Sequence, residues 1–438
     1  MTIPYYQSKA QHSSATVTLR LPPAMPHAAP PEWPAARWVG SIDVAAFGPS
    51  TEIVLQDAEA YEHARLLVRD GTEIRGFVDV GVRRGRIDAG SLTRDIERLP
   101  RRKCSGEPQD WASITVVICT RDRPEHLRRV LPTILGLDYP NFDVVIVDNA
   151  SRTSESRDLI RNEFPDPRLR IVEEPLPGLS RARNTGVAHA SGEIVAFTDD
   201  DVAADQYWLR EIARGFAQAH AVDCVTGLVP SGELRTRVQG YFDDRTSWSK
   251  NLDARVYSLS HPPADLPMFP FSVGQFGTGA NFAVKRRAAL ELGGFDTALG
   301  VGTRTGGGED LDFFTRVILN GRVLAMQPTA LIWHRHRDDL AALRVQARGY
   351  GTGLGAWLAK IAMQPRTLRM ALVRSPHALR RLVSLAWRKP EVSVVGTDEP
   401  SDSFDRTVAR VGWVELFSVA RGPWRYLRQR FEDTRAAH

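Results

Sequence analysis

Residues 114–120 read ITVVICT, an unbroken apolar run rich in β-branched side chains. Such a run is typical of a strand that is buried on both faces of a parallel sheet. From residue 124 to about residue 220, helix-like and strand-like segments alternate at short spacing, in the order PEHLRRVLPTILG, DVVIVDNA, a charged helix, LRIVEE, LSRARNTGVAHA, EIVAFTDDD and ADQYWLREIARGFAQAH. This alternation predicts βαβ units and hence an α/β fold with a doubly wound sheet.

The polar residues at which these apolar runs stop are the first candidates for a functional site. In doubly wound sheets, ligands bind outside the carboxyl ends of the strands. Thr120, the pair Asp148-Asn149 and the triplet at residues 199–201 all stand at such ends. They are therefore the side chains of this region that a bound ligand would meet.

The triplet Asp199-Asp200-Asp201 is the sharpest of these features. Three adjacent carboxylates repel one another unless a cation or a network of hydrogen-bond donors lies nearby. Asp199 and Asp201, two residues apart, could present oxygens to one hard divalent ion such as Mg²⁺ or Mn²⁺. The alternative is that one aspartate caps the next helix and the others are solvated, although a cap needs only one carboxylate.

Three further segments combine residue types that can carry chemistry, each with a simpler alternative. Residues 306–310 read GGGED, in which glycines let the backbone bend around a ligand, but acids at a helix start are also favoured by the helix dipole alone. Residues 334–336 read HRH, a spacing found in metal sites and in ordinary surface histidine pairs. Residues 178–184 read GLSRARN and open a helix whose arginines suit a phosphate or an exposed basic face.

Outside the predicted sheet, the chain divides into parts of different character. Residues 1–35 are rich in Pro, Ala and Ser and predict a poorly ordered lead-in. Residues 36–105 hold short β-prone runs and predict a small mixed α/β or β module, with a linker around residues 100–110. Residues 341–438 predict a basic helical C-terminal region.

Composition and charge narrow the class of protein. The chain has 438 residues, 57 Lys and Arg against 52 Asp and Glu, and three cysteines at Cys104, Cys119 and Cys224 without a CxxC pair. This balance excludes a wholly disordered chain, a collagen-like repeat and a disulfide scaffold. The segments GxGxxG, GxxxxGK[ST] and GxSxG are also missing from the strand ends, which disfavours a dinucleotide oxidoreductase, a P-loop ATPase and an α/β-hydrolase.

The charge is unevenly distributed along the chain. Residues 341–438 contain 17 Lys and Arg against 8 Asp and Glu, so the rest of the chain is slightly acidic. The basic tail, with Trp357, Trp387, Trp413 and Trp424, predicts either amphipathic helices on an anionic membrane or core helices with a solvated basic face. No apolar run is long enough to span a bilayer, and the N-terminus lacks a signal-peptide core. We expect a cytoplasmic protein that the basic tail could bring to the inner face of the membrane, with no nucleic-acid partner.

The order of the motifs points to a family. VVICTRDRP, VVIVDNAS, GLSRARNTG, FTDDD, GTGANFAVKR with GGFD, and GGGEDLDF followed by HxH resemble, in that order, the family 2 glycosyltransferases of the GT-A fold. The resemblance covers about Ile114 to His336 and implies a catalytic domain over residues 112–340. It implies a GT-A-type doubly wound mixed sheet with a nucleotide-sugar across the strand ends.

The resemblance also implies roles for individual residues. Thr120, Arg121 and Asp148, with Arg183 and Asn184, match positions that bind the nucleotide-sugar. Asp199 matches the ribose- and metal-side acid of a DxD motif and Asp201 the metal ligand, with Asp200 as a competing assignment. Asp310 matches the catalytic base, Glu309 its neighbour that orients the acceptor, and His334 a metal or diphosphate ligand with His336 as its rival.

These roles imply an inverting transferase that depends on Mn²⁺ or Mg²⁺. Its donor would be a UDP-, GDP- or dTDP-linked sugar, and its acceptor a carbohydrate, a lipid-linked molecule or a small molecule. Asp310 would take the proton of the acceptor hydroxyl. Two alternatives stay open: a sugar nucleotidyltransferase, although TRDRPEHLRR lacks the glycine-rich loop that this activity usually needs, and a non-catalytic carbohydrate or membrane-surface binder on the same fold.

Overall fold

The computed structural model describes residues 17–27, 29–48, 51–101, 111–246, 249–374 and 402–436. Cys104, most of the predicted linker and Trp387 lie outside these ranges. The described cysteines, Cys119 and Cys224, are free thiols.

A module of two small sheets precedes the large sheet. Its elements are β1 (Thr18–Leu21), β2 (Arg37–Asp43), β3 (Glu52–Leu55), β4 (His63–Asp70), β5 (Glu73–Gly81), β6 (Arg86–Ile87) and α1 (Ala89–Glu97). Three strands form one sheet in the order β1-β3-β6, and three form the other in the order β2-β4-β5. A shared apolar cluster, including Trp38, Ile53 and Leu66, holds the module together. A small mixed module is thus what the sequence predicts here.

The predicted lead-in is wrong from residue 17 onward. Residues 18–21 pair in parallel with residues 52–55 to form β1, and Met25 is buried against the large sheet. Farther along, the backbone N–H of Glu32 donates to the carbonyl of Arg235 at 3.0 Å. The segment contains little regular secondary structure, but hydrogen bonds to residues 52–55 and to Arg235 determine its path.

The large sheet contains nine strands among the described residues. They are β7 (Ile114–Thr120), β8 (Phe142–Asn149), β9 (Leu169–Glu174), β10 (Ile194–Thr198), β11 (Val202–Ala204), β12 (Val222–Leu228), β13 (Arg255–Tyr257), β14 (Asn281–Lys285) and β15 (Val323–His334). Their order is β11-β15-β12-β14-β10-β7-β8-β9, and β13 pairs with β15. Strands β10, β7, β8 and β9 are parallel, whereas β14 runs antiparallel between β10 and β12.

Helices cover both faces of this sheet, as a doubly wound fold requires. They are α2 (Pro124–Leu135), α3 (Glu155–Glu163), α4 (Leu179–His189), α5 (Trp208–Phe216), α6 (Arg237–Arg245), α7 (Arg286–Glu291) and α8 (Glu309–Leu319). One apolar cluster joins the sheet to α2, α3 and α5, and a second joins its other face to α4, α7 and α8. The run Ile114–Thr120 is buried from both sides, which explains its continuous apolar pattern.

The strand register brings separate segments to one edge. Thr120 lies opposite Asp148 in the β7–β8 pair, and Thr198 ends β10 beside β7. The triplet at 199–201 then turns the chain from β10 into β11. Because β11 pairs antiparallel with β15, Val202 lies opposite His334.

The C-terminal helices pack on the domain from one side. They are α9 (Leu340–Met363), α10 (Asp402–Val419) and α11 (Gly422–Ala436), and residues 365–374 are also helical. Trp357 is buried in the core against α8 and its neighbours, whereas Trp413 and Trp424 are exposed. Part of the basic tail is therefore core helix, as one of the two interpretations predicts, and contact with a membrane stays a prediction. Within the described ranges, no helix is both long and apolar enough to cross a membrane.

Candidate active site

Asp201 and His334 form the centre of the candidate site. His334 Nε2 lies 3.1 Å from Asp201 Oδ1, as the pairing of Val202 with His334 requires. Arg123 and Arg337 each approach the other carboxylate oxygen at 3.9 Å. Burial alone would raise the pKa of Asp201, but His334 and the two arginines hold it below its usual range. In turn, burial opposes and Asp201 favours the charged imidazole, and the net pKa of His334 is raised.

Asp199 completes a cluster of three possible ligands. One oxygen or nitrogen from each of Asp199, Asp201 and His334 lies within 4.8 Å of the others. One-third of the Asp199 side chain is exposed, so the cluster opens to solvent on its side. Burial raises the pKa of Asp199 to about 6, with Arg183 opposing the shift and Asp201 adding to it.

The donor set suits a hard divalent cation. Two carboxylates and one imidazole match Mn²⁺, and Mg²⁺ when water supplies further oxygens. A metal on His334 Nε2 requires the ring proton on Nδ1, and His334 Nδ1 lies 3.0 Å from His336 Nδ1, which can accept that proton in a hydrogen bond. The residues present therefore fit the metal that the resemblance implies.

His336 lies behind His334 and is not part of this cluster of ligands. It is 5% exposed and packs against Phe242 with ring centroids 4.4 Å apart and the rings tilted by 46°. Burial, with the neighbouring His334, holds the pKa of His336 well below its usual value. The rival assignment of His336 as a metal ligand is therefore not supported by this arrangement, because its ring lies against His334 and Phe242.

Asp200 is buried beside Arg123, and with His126 and Asp201 it forms a second group of three possible ligands whose ligand atoms lie within 4.8 Å of one another. Its two oxygens accept hydrogen bonds from Thr120 Oγ1 at 2.8 Å and from Arg123 at 2.9 Å. Both Asp200 and Thr120 are at most 5% exposed. Their predicted contacts with a nucleotide-sugar are not supported by this geometry, because their polar groups already bond each other.

Asp148 has an unsatisfied oxygen at the end of β8. The residue is 1% exposed, and its Oδ1 atom has no hydrogen-bond partner among the described residues. Arg157 approaches the other oxygen only to 3.8 Å. A buried acceptor without a donor needs a partner to offset its desolvation, and a base or ribose donor would supply one. Arg121, by contrast, is exposed beyond the end of β7.

Arg183 connects the metal-side cluster to the acids of α8. This buried guanidinium lies 3.1 Å from Glu309 Oε1 and 3.8 Å from Asp199 Oδ1. It also donates to the carbonyl of Gly279 at 2.9 Å. Arg183 therefore fixes the spacing between the two groups of acids.

Its neighbour Asn184 has a different task. The amide of Asn184 donates to the carbonyl of Phe295 at 2.9 Å and accepts from the backbone N–H of the same residue at 2.7 Å. With both ends of the amide bonded to a loop, Asn184 anchors that loop. Its predicted nucleotide contact is not supported.

Asp310 and Glu309 begin α8 on a tight glycine turn. Gly308 has a φ of 89°, and a Cβ atom there would lie 2.6 Å from the carbonyl of Gly353 on α9. The glycine turn therefore allows the backbone to approach α9 closely. Asp310 accepts the backbone N–H of Gly279 at 3.0 Å through Oδ2 and that of Leu311 at 2.8 Å through Oδ1, which fixes the carboxylate in place.

Glu309 provides a pH-dependent test of this arrangement. Burial, with repulsion from Asp310, raises the pKa of Glu309 from 4.5 to about 7. The folded protein thus holds a proton that the unfolded chain loses near pH 4.5. Stability from this group is full below that pH and is lost as the pH rises through about 7.

Between pH 5 and pH 8, we predict that the free energy of unfolding falls more for the metal-free wild-type protein than for the metal-free Glu309→Gln variant. The difference should be on the order of 2–3 kcal/mol in urea unfolding with a chelator present. The exposed Glu97→Gln serves as control and should keep the wild-type pH dependence. Parallel curves for wild type and Glu309→Gln would contradict the burial of an ionisable Glu309.

Two cations beside the strand-end acids were not predicted from the sequence. Arg123 bonds Asp200 at 2.9 Å, and Arg337 lies 3.9 Å from Asp201. Arg123 stands inside the quoted motif TRDRP and Arg337 directly follows HRH, so basic residues beside these motifs were the available signal.

Comparison with known proteins agrees with the motif order. The sequence model of glycosyl transferase family 2 matches residues 115–292. A pre-mycofactocin glycosyltransferase of Mycobacterium tuberculosis is 29% identical over 244 residues, which are 54% of this chain and 46% of that protein. The succinoglycan biosynthesis protein ExoM of Rhizobium meliloti is 27% identical over 286 residues, 64% of this chain and 81% of that protein. The chain thus spans about half the length of the first of these relatives.

Among solved structures, a mannosyltransferase from Pyrobaculum calidifontis, in complex with GDP-Man and Mn²⁺, is similar. It has 19% sequence identity and a TM-score of 0.47, over 76% of this chain and 93% of that one. The mixed sheet, the small β module and the basic helices described above, together with the family match, confirm the predicted fold class. The matched range ends before Glu309, so the acids of α8 and His334 lie beyond it.

Proposed function

Because residues 115–292 form a family 2 glycosyltransferase domain, we propose that the chain transfers a sugar from a nucleotide-sugar to an acceptor hydroxyl with inversion. The observation that carries this proposal is the joining of two acid groups by one buried arginine. Arg183 stands between Asp199, in the ligand cluster, and Glu309, beside Asp310. A leaving diphosphate and an attacking hydroxyl need such groups on opposite sides of one sugar.

On the donor side, the nucleotide would lie across the ends of β7 and β8. The free Oδ1 of Asp148 is an acceptor for a base or ribose donor. Arg123 and Arg337 add positive charge near Asp201, toward which a diphosphate would be drawn. These contacts support a donor in which the sugar is linked to a nucleoside diphosphate.

The residues that would hold a divalent cation are Asp199, Asp201 and His334. When bound there, such a cation supplies positive charge to the departing diphosphate, an effect of several kcal/mol in order of magnitude. His336 keeps His334 in the required tautomer by accepting its Nδ1 proton. Asp201 contributes the carboxylate whose pKa is held low, so this ligand is ionised across the physiological range.

On the acceptor side, Asp310 is the proposed base. Two backbone N–H groups fix its oxygens while a lone pair remains for an incoming hydroxyl. The acceptor oxygen forms a bond to the anomeric carbon as the bond from that carbon to the diphosphate breaks, and the hydroxyl proton passes to Asp310. Because the attack comes from the face opposite the leaving group, the anomeric configuration inverts.

The finer expectations extend this proposal. The donor would be a UDP-, GDP- or dTDP-linked sugar, and the acceptor a carbohydrate, a lipid-linked molecule or a small molecule of cell-surface or natural-product glycosylation. Expectations of a membrane surface and of a cytoplasmic location rest on the C-terminal helices and on composition, and not on this site.

A thermal-shift panel tests the donor class. We predict that sugars linked to one of the nucleotides UDP, GDP or dTDP raise the Tm of the full chain by several degrees with Mn²⁺ and much less with a chelator. The same nucleotide should fail to stabilise the chain when Asp148 is replaced by alanine, while Asp158→Ala, at a half-exposed side chain, behaves as wild type. A shift of equal size without metal would contradict the metal-bridged arrangement. Release of pyrophosphate from a nucleoside triphosphate and a sugar phosphate would favour a nucleotidyltransferase instead.

A further inference from the structure

Helices α10 and α11 expose an unusual run of large apolar side chains. Among the described residues, six of the large apolar side chains that stand in solvent fall within residues 413–431. We call them the exposed stripe: Trp413, Leu416, Phe417, Trp424, Leu427 and Phe431. Their spacing of three and four residues on α11, at 424, 427 and 431, places them on one face of that helix. Trp424 is 69% and Phe431 57% exposed.

The opposite faces of the same helices are firmly packed. Val411, Ser418 and Tyr426 are buried, and Tyr426 Oη donates to Asp296 at 2.8 Å. Small residues on α9 permit this approach, since a Cβ atom on Gly351 would lie 2.0 Å from the carbonyl of Glu415. The helices are therefore held by one side, and the exposed stripe is the side that the fold leaves in solvent.

Arginines accompany the exposed stripe on α11. Arg425 and Arg435 have no carboxylate partner among the described residues, and Arg435 lies over the Phe431 ring at 4.5 Å. Arg428 shares Glu432 with Arg304. A cavity of about 360 Å³ opens beside them, lined by Thr303, Arg304, Trp424, Arg425 and Arg428. Positive charge beside exposed aromatic side chains suits a partner surface that has an anionic outer layer and an apolar layer beneath it.

We propose that the exposed stripe and its arginines dock the protein on an anionic membrane surface. Trp424, Leu427 and Phe431 would enter the boundary between headgroups and acyl chains, and the arginines would contact lipid phosphates at the level of the cavity. Charge complementarity selects this occupant, because a second copy of the chain would bring the same arginines together. This surface is separate from the candidate active site, so the proposal goes beyond the proposed function.

Helix α11 is connected to the loop that precedes α8 by an ion pair and a hydrogen bond. Arg304 pairs with Glu432 at 2.7 Å, and Thr297 Oγ1 donates to Asp433 at 3.1 Å. Thr297 and Arg304 belong to the loop that leads to Glu309 at the start of α8. A membrane bound through α11 would therefore hold the acceptor side of the site in a fixed orientation to the lipid.

Vesicle sedimentation of the full chain tests the proposal. Vesicles of phosphatidylcholine with about 30% phosphatidylglycerol should bind the protein at low salt, and pure phosphatidylcholine should bind it at least tenfold more weakly. Arg425→Gln with Arg435→Gln should lower the binding by about 25-fold, at about fivefold per arginine. Trp424→Ser with Phe431→Ser should lower it at least tenfold. Matched controls at an exposed site elsewhere, Arg287→Gln and Leu290→Ser, should bind as wild type.

Three results would overturn the proposal. They are equal binding to both kinds of vesicle, an equal loss in the control variants, and unchanged vesicle binding by Trp424→Ser with Phe431→Ser. If that double variant instead turns a dimer into a monomer in light scattering while vesicle binding persists, the exposed stripe is an interface between copies. The Mn²⁺-dependent thermal shift with nucleotide-sugars, measured on the same variants, reports on the proposed function separately.

Discussion

Replacing Asp310 with asparagine is expected to lower the turnover number of sugar transfer by about 10³-fold. The change keeps the shape of the side chain and lets its oxygen accept the backbone N–H of Gly279, which now donates to Asp310 at 3.0 Å. It removes the basic lone pair that would receive the acceptor proton. Donor binding, measured as the Mn²⁺-dependent thermal shift, should stay close to wild type because the ligand cluster is unchanged.

The control for this prediction is Asp158→Asn, a carboxylate on α3 whose side chain is half exposed. It should transfer sugar at the wild-type rate. Wild-type transfer by Asp310→Asn would remove Asp310 as the base. In that case Glu309, held beside it by Arg183, would be the next residue to replace.

Asp201→Asn is expected to abolish metal-dependent donor binding and to lower transfer by about 10³-fold or more. An amide keeps the volume of the side chain but loses the charge that the cluster of Asp199, Asp201 and His334 needs to hold a divalent cation. The pKa of His334, which Asp201 raises, should fall at the same time. The measurement is the Mn²⁺-dependent thermal shift with the donor, followed by transfer at saturating Mn²⁺.

The matched control is Asp122→Asn, since Asp122 lies on the same edge of the sheet but bonds Arg152 and belongs to no ligand cluster. It should retain both the thermal shift and transfer. A Mn²⁺-dependent shift that survives in Asp201→Asn would mean that the metal is held elsewhere.

Much of the fold could be predicted because its signals are local. The run Ile114–Thr120 is apolar throughout since both faces of its strand are covered, and polar residues stop it where the sheet ends. The family match over residues 115–292 reflects the same order of strands and motifs. Strand ends therefore predicted that Asp148, Asp199 and Asp201 lie at one edge of the sheet, which is where the structure has them.

The register within the aspartate triplet could not be predicted, because a distant strand sets it. Asp201 faces His334 since β11 pairs with β15, more than 120 residues away in sequence. The same pairing leaves Asp200 turned toward Thr120. A local pattern of three identical residues carries no information about which of them meets a partner so far along the chain.

The choice between the two histidines and the course of the lead-in could not be predicted, for related reasons. His334 and His336 are equivalent in the sequence, and they are separated by the contact of His334 with Asp201 and the packing of Phe242 against His336. Residues 18–21 looked unstructured beside a Pro-rich stretch, yet residues 52–55 supply their hydrogen bonds. In both places the deciding contact is long-range, and composition records only the local preference.

The central claim is that the strand-end site transfers a sugar with inversion, and the anomeric configuration of the product tests it most directly. The wild-type chain would be incubated with Mn²⁺, the α-linked nucleotide-sugar that stabilises it, and an accepted alcohol, with methanol as the simplest. The one-bond carbon–hydrogen coupling at the anomeric carbon of the purified product then gives its configuration by NMR. We predict a β-linked product, whereas an α-linked product would contradict inversion and the role of Asp310 as the base for a single displacement.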